Sequence, residues 1–200
     1  MKIRALLTAT VLTAAAPVLA QAPAAPPPAE PAQAAPAMAP APAPAKKMIP
    51  PGEMAKATVK DAQGKDVGEV TFEQTKHGVV IKGELHDLPP GQHAFHIHET
   101  GKCEAPEFKT AGSHFNPTKK AHGMMAPKGK HVGDLPNLYV GQDGKVQFDT
   151  FSQNGLTVKA LFDKDGSAVV IHTKEDDYQT DPTGDAGGRI ACGVVEKQQP

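Results

Sequence analysis

Ala94-Phe95-His96-Ile97-His98 is the stretch from which the rest of the chain can be read. On an extended strand, side chains two residues apart share a face. Phe95 and Ile97 then point one way, toward a core, and His96 and His98 point the other way, side by side. A His-x-His pair alone is a weak signal for a metal. It gains weight only from what surrounds it.

Outward from this stretch the same period-two pattern recurs in short runs. Residues 57–60, 67–73, 79–86 and 93–98 come before a long break, and 138–140, 145–151, 156–162 and 168–172 after it. Turn signals separate the runs, among them Pro89-Pro90-Gly91, Gln142-Asp143-Gly144, Asn154-Gly155 and Asp163-Lys164-Asp165-Gly166. No long segment repeats apolar residues at helical spacing. Eight short strands predict an all-β sandwich or barrel. Trp is absent and aromatic residues make up 4%, so the core must be built from Val, Ile, Leu, Phe and Ala.

Two gaps interrupt the rhythm, from residue 99 to about 133 and from 173 to about 189. Loops of this length in a compact domain are usually functional and need something other than a strand ladder to order them. The first gap and its exit hold His114, His122, His131 and Asp134. Four nitrogen and oxygen donors can close a tetrahedral shell around zinc, which would also order the loop. His172 ends the run Val169-Val170-Ile171-His172, and with His96, His98 and one loop histidine it would complete the nitrogen set that suits Cu(II). His77 and His86 read as exposed strand ends, and His93 as a packed, hydrogen-bonded residue.

The first twenty residues read as a signal peptide. Lys2 and Arg4 are basic, 5–16 is apolar, and Val18-Leu19-Ala20 offers small residues for cleavage. As an uncleaved anchor the apolar run would fall short of the ~20 residues needed to span a bilayer. No other segment is apolar enough for a membrane span. Residues 21–51 are almost wholly Ala and Pro, suited to an extended linker or a passive leader. Residues 52–200 form the remaining domain. A formal net charge of −1 gives no reason to expect nucleic acid as a partner. The only two cysteines, Cys103 and Cys192, most simply form one disulfide in an exported chain, since a cysteine zinc site would need more thiols. These features predict a periplasmic or otherwise envelope-exported protein.

Four segments carry a family resemblance. Phe95-His96-Ile97-His98-Glu99, Gly112-Ser113-His114-Phe115-Asn116-Pro117, His131-Val132-Gly133-Asp134-Leu135 and Gly188-Arg189-Ile190-Ala191-Cys192-Gly193-Val194-Val195 resemble copper/zinc superoxide dismutase, in the family order. Gly133-Asp134-Leu135-Pro136-Asn137-Leu138 and the short second gap resemble its bacterial exported branch. The resemblance implies an eight-stranded Greek-key β-barrel or sandwich of immunoglobulin-like kind, with two long functional loops. It implies one copper per subunit on His96, His98, His114 and His172, and one zinc on His114, His122, His131 and Asp134. His114 would be shared between them. Asp176 would link His96 and His122 from behind, Cys103 and Cys192 would form the intrasubunit disulfide, and Arg189 would stand beside the copper. The implied activity is conversion of the superoxide anion to dioxygen and hydrogen peroxide, by alternate reduction and oxidation of copper beside a structural zinc. His114 and Arg189 would take part. A homodimer is compatible with the sequence but not specified by it.

Overall fold

The computed structural model describes residues 52–198. The expected signal peptide and Ala/Pro linker lie outside the described residues.

The strands are β1 (Met54–Asp61), β2 (Asp66–Gln74), β3 (Val79–Leu85), β4 (Gly91–His93), β5 (Phe95–His98), β6 (Leu138–Val140), β7 (Val146–Ser152), β8 (Ala168–His172) and β9 (Arg189–Gln198). Seven form one curled antiparallel sheet in the order β5-β8-β9-β1-β2-β3-β7, and β4 pairs with β6 in a small second sheet. The expected all-β barrel is therefore present. The crossovers that bring β8 beside β5 and β9 beside β1 are of Greek-key kind.

Period-two burial explains the outer strands. In β3, Val79, Ile81, Gly83 and Leu85 are buried, while Lys82 and Glu84 face solvent. β8 differs, because all five of its residues are buried. Val169 and Ile171 pack into the main core with Phe72, Ile81 and Phe95. Ala168 and Val170, on the opposite face, pack under Phe108, Ala111 and Cys192. The long first loop is thus the second cover of β8, which is why its sequence is apolar without alternation.

Three local expectations are corrected. The run at 93–98 divides at Ala94, whose N–H donates to the Lys174 carbonyl at 2.7 Å and whose carbonyl accepts from His172 N at 3.0 Å. Residues 156–162 are not a strand: Lys159–Phe162 is a 3-10 turn. Leu156, Val158 and Leu161 all reach the core there, because the spacing lengthens from two to three after Val158. Finally, Arg189–Gln198 forms a ten-residue strand, β9, outside the eight runs of the period-two pattern.

Candidate metal centre

β5 places the first two imidazoles. Phe95 and Ile97 enter the core, so His96 and His98 share the opposite face, fully buried beneath the first loop. That loop is zipped onto the free edge of β5. Ile97 N donates to Gly133 O at 2.9 Å, Phe115 N to Ile97 O at 2.8 Å and Glu99 N to Ser113 O at 2.9 Å. Gly133 must lack a side chain, because a Cβ there would strike the Ile97 carbonyl oxygen. This close approach sets His114 opposite His98 and Asp134 opposite His96. His172 shares the face of Val170, which pairs with His96. A register shift between Ile171 and His172 re-aims the strand end, as irregularities beside functional sites often do.

The six histidines and Asp134 form two groups that meet at His114. His96, His98, His114 and His172 offer nitrogens within 4.8 Å of one another, and so do the donor atoms of His114, His122, His131 and Asp134. Whether these sets fit cations is decided by where the protons must be. His96 Nε2 faces Asp176 Oδ2 at 2.8 Å, and His98 Nδ1 faces the Gly112 carbonyl at 3.0 Å. Both partners only accept, so both nitrogens carry the ring proton. His96 Nδ1 and His98 Nε2 therefore present lone pairs. These converge on His172 Nε2, at 3.3 and 3.4 Å. His114 Nε2 joins them, buried and without a hydrogen-bond partner among the described residues. Converging imidazole lone pairs fit a copper-type cation.

The second group is tighter. Asp134 Oδ2 accepts from Gly123 N at 3.0 Å and His131 N at 2.9 Å, which turns Oδ1 toward three rings. Oδ1 lies 2.9 Å from His114 Nδ1, 3.1 Å from His122 Nδ1 and 3.2 Å from His131 Nδ1, and His114 Nδ1 is 3.3 Å from His131 Nδ1. A tetrahedral shell with bonds of about 2.0–2.1 Å has edges of about 3.3 Å, so this set fits zinc.

The electrostatics agree. Burial, with His96 and Arg189 nearby, holds His172 down to about 2. Burial and the neighbouring rings hold His114 down to about 4, against the pull of Asp134. Burial likewise keeps His96 low and His98 well below its ordinary value. These four rings are neutral and free to ligate. His122 is opposite: burial disfavours its charge, but Asp134 on one nitrogen and Asp176 on the other raise it to about 9. Both carboxylates are buried, yet their histidine partners hold them well below the ordinary carboxylate range.

Behind the rings, Asp176 joins the groups, accepting from His96 Nε2 at 2.8 Å and His122 Nε2 at 3.0 Å. Gly184 leaves room for it, since a side chain there would collide with the Asp176 carboxylate. Arg189 pairs with His172 across β8 and β9. It donates through Nη1 to Phe108 O at 2.6 Å and through Nη2 to Gly112 O at 2.7 Å. Both acceptors are neutral, and the guanidinium forms no salt bridge among the described residues. Its charge is therefore not offset by a carboxylate among the described residues. The Cys103–Cys192 disulfide closes 89 residues and ties the first loop to the Arg189 strand. Loop-closure reasoning gives it roughly 2–5 kcal/mol.

Every residue singled out from the sequence for this site is therefore gathered here. His77 and His86 are exposed, and His93 is buried, its ring nitrogens facing the His172 and Pro89 carbonyls at 2.7 and 2.9 Å. The sequence reading missed the Phe108 and Gly112 carbonyls, the side-chain role of Asn137, and Tyr178. Asn137 lies within a quoted segment. Main-chain acceptors leave no mark on residue type.

Comparison with known proteins gives one consistent result. The family model for copper/zinc superoxide dismutase matches residues 67–195. The chain is 46% identical over 146 residues to Cu-Zn superoxide dismutase 1 of Aquifex aeolicus, covering 70% of this chain and 86% of that one. It is 43% identical over 149 residues to the Cu-Zn superoxide dismutase of Caulobacter vibrioides, covering 71% and 85%. The crystal structure of a SOD-like protein from Bacillus subtilis superposes with a TM-score of 0.66 at 40% identity, covering 70% of this chain and 96% of that one.

Proposed function

The chain belongs to the copper/zinc superoxide dismutase family, and on that premise we propose how its residues divide the work of turning two superoxide ions and two protons into dioxygen and hydrogen peroxide. His96, His98, His114 and His172 hold copper. His114, His122, His131 and Asp134 hold zinc. When bound, copper supplies reversible one-electron exchange with superoxide, and zinc, with its full d shell, supplies fixed charge.

The observation that carries this map is the double membership of His114. Its Nδ1 sits among Asp134 and His131, while its Nε2 is buried toward His96, His98 and His172 with no hydrogen-bond partner of its own among the described residues. His114 Nε2 is the atom that holds a proton between the two halves of turnover and passes it to the departing peroxide. The contacts at Nδ1 keep the ring from swinging away meanwhile. Arg189 draws the anionic substrate in and orients it with a planar, permanently charged fork. The Gly112 carbonyl, shared by Arg189 and His98, keeps that fork in register with the copper ligands.

The same reading puts the mature protein in the periplasm or elsewhere in the cell envelope. A disulfide and the leader-like residues 1–20 support this. Residues 21–51 would then act as a linker. Among the described residues no helix is long and apolar enough to cross a membrane. Each subunit carries a whole set of ligands, so a homodimer would pair two complete sites.

The test is metal analysis of the purified protein with a superoxide-decay assay before and after selective copper removal. Decay should fall to the spontaneous rate while zinc stays bound, and return when copper is restored. Unaltered decay without copper would overturn the proposal.

A further inference from the structure

The carboxylate of Asp176 reaches two ligand rings, so its own anchorage matters. Asp176 lies on the second loop, four residues beyond His172, and the side chains of Glu175 and Asp177 on either side are exposed. No strand holds it. Two other residues do.

Asn137, at the exit of the first loop, grips the Asp176 main chain at both ends. Asp176 N donates to Asn137 Oδ1 at 2.8 Å, and Asn137 Nδ2 donates to Asp176 O at 2.9 Å. The carboxamide thus does what a neighbouring strand would do. Tyr178 closes the ring from the other side. Its N–H donates to Asp176 Oδ1 at 2.7 Å, and its hydroxyl accepts from Asn137 N at 2.8 Å. Its carbonyl accepts from Met125 N at 3.0 Å, three residues past His122.

Tyr178 makes these contacts with φ of 61°, the left-handed region that bulky residues avoid. Such a conformation persists where the surroundings over-determine it, often at functional sites. Here its main-chain N–H, hydroxyl and carbonyl each meet a different part of the apparatus.

We infer that Tyr178 is a positioning residue: working with Asn137, it fixes the Asp176 carboxylate and thereby sets how long zinc stays on His122. The inference rests on the ligand map proposed above and extends it to a residue that touches neither metal group.

Zinc release from the fully loaded, disulfide-bonded protein is followed with a chromogenic chelator in four forms: wild type, Tyr178→Phe, Asp176→Asn and the double variant. Cobalt substituted for zinc gives a second readout, the visible spectrum of the site. Loss of a carboxylate behind a metal ligand costs about 10–100-fold in retention, so Asp176→Asn should speed release by that factor, and Tyr178→Phe by about three- to tenfold. The double variant should release zinc no faster than Asp176→Asn alone, because the tyrosine acts through that carboxylate. Tyr178→Phe should also shift the cobalt spectrum. Asn137→Asp, which keeps the shape but loses the Nδ2 donor, should change release in the same direction and guards against misfolding of any one variant. Equal acceleration by Tyr178→Phe in both backgrounds, or none in either, overturns the inference and leaves the ligand map standing. Unchanged release in Asp176→Asn likewise overturns the inference, because the carboxylate is then not what holds zinc on His122. Asp176 is no ligand in the map, which the metal analysis above tests separately.

Discussion

His172 and His122 stand on two kinds of ground. His96, His98 and His172 project from β5 and β8, where antiparallel pairing and a packed core fix them before any ion arrives. His122, His131 and Asp134 project from residues 99–137, a segment pinned by the disulfide and by apolar contacts such as Phe108, Phe115 and Leu135. It is joined to β5 by only a few main-chain bonds and ordered between those anchors by contacts among the ligands themselves. On the strand side, ligand geometry follows from register. On the loop side it follows from charge, since three rings converge on one oxygen of a buried carboxylate. One half of the site is set by folding, and the other is completed by binding.

The sharpest way to break this comparison is His172→Ala. It removes a strand ligand and leaves the loop set whole, so copper retention and superoxide turnover should be lost while zinc content is kept. Metal analysis decides the matter: a variant depleted of zinc and replete in copper would show that the two halves have been assigned the wrong way round. Arg189→Ala comes next. Both metals should remain, and turnover should fall about tenfold or more as the fixed charge that captures the anion disappears. Equal turnover would remove Arg189 from the chemistry.

Removing the metals should separate the halves physically. In the metal-free protein, amide exchange should quicken over residues 113–133 and stay slow in β8 and β9, as measured by hydrogen exchange with mass spectrometry. Uniform quickening would deny the distinction. The mildest effect is on pH dependence. His172 falls to about 2 from 6.5 on folding, so below about pH 6.5 the unfolded chain binds a proton that the folded chain refuses, and stability falls with pH. His122 rises to about 9, so its contribution is complete below about pH 6.5 and is lost as pH climbs through 9. Melting temperatures of the metal-free protein should therefore decline on both sides of neutrality. Zinc should abolish the alkaline decline, because it replaces the proton on His122. An alkaline decline that persists with zinc bound would count against His122 as a ligand.

The strand half was the more legible in the sequence. Alternation in Ala94-Phe95-His96-Ile97-His98 gives the shared face directly, and the neighbouring runs give the β class. The loop half was legible in composition, through three histidines and an aspartate in a segment with no other means of order. The way it is held was hardly so, because main-chain bonds leave no mark on residue type and only Gly133, bare where the Ile97 carbonyl approaches, reflects the contact. Residues 156–162 misled because Leu156 and Val158 begin a strand-like alternation that Leu161 then breaks. β9 was recognised as a motif around Arg189 and Cys192 rather than as a strand. Tyr178 gave no signal at all: its role lies in a left-handed turn and a hydroxyl that accepts from a main-chain N–H.

The two halves meet in a single ring, so the most direct test is the His114→Ala variant. Copper and zinc dissociation constants are measured beside those of His98→Ala and His131→Ala. Losing the loop ligand His131 should weaken zinc and spare copper, and losing the strand ligand His98 should do the reverse. The account predicts that His114→Ala weakens both. Wild-type affinity for either metal in that variant would contradict it.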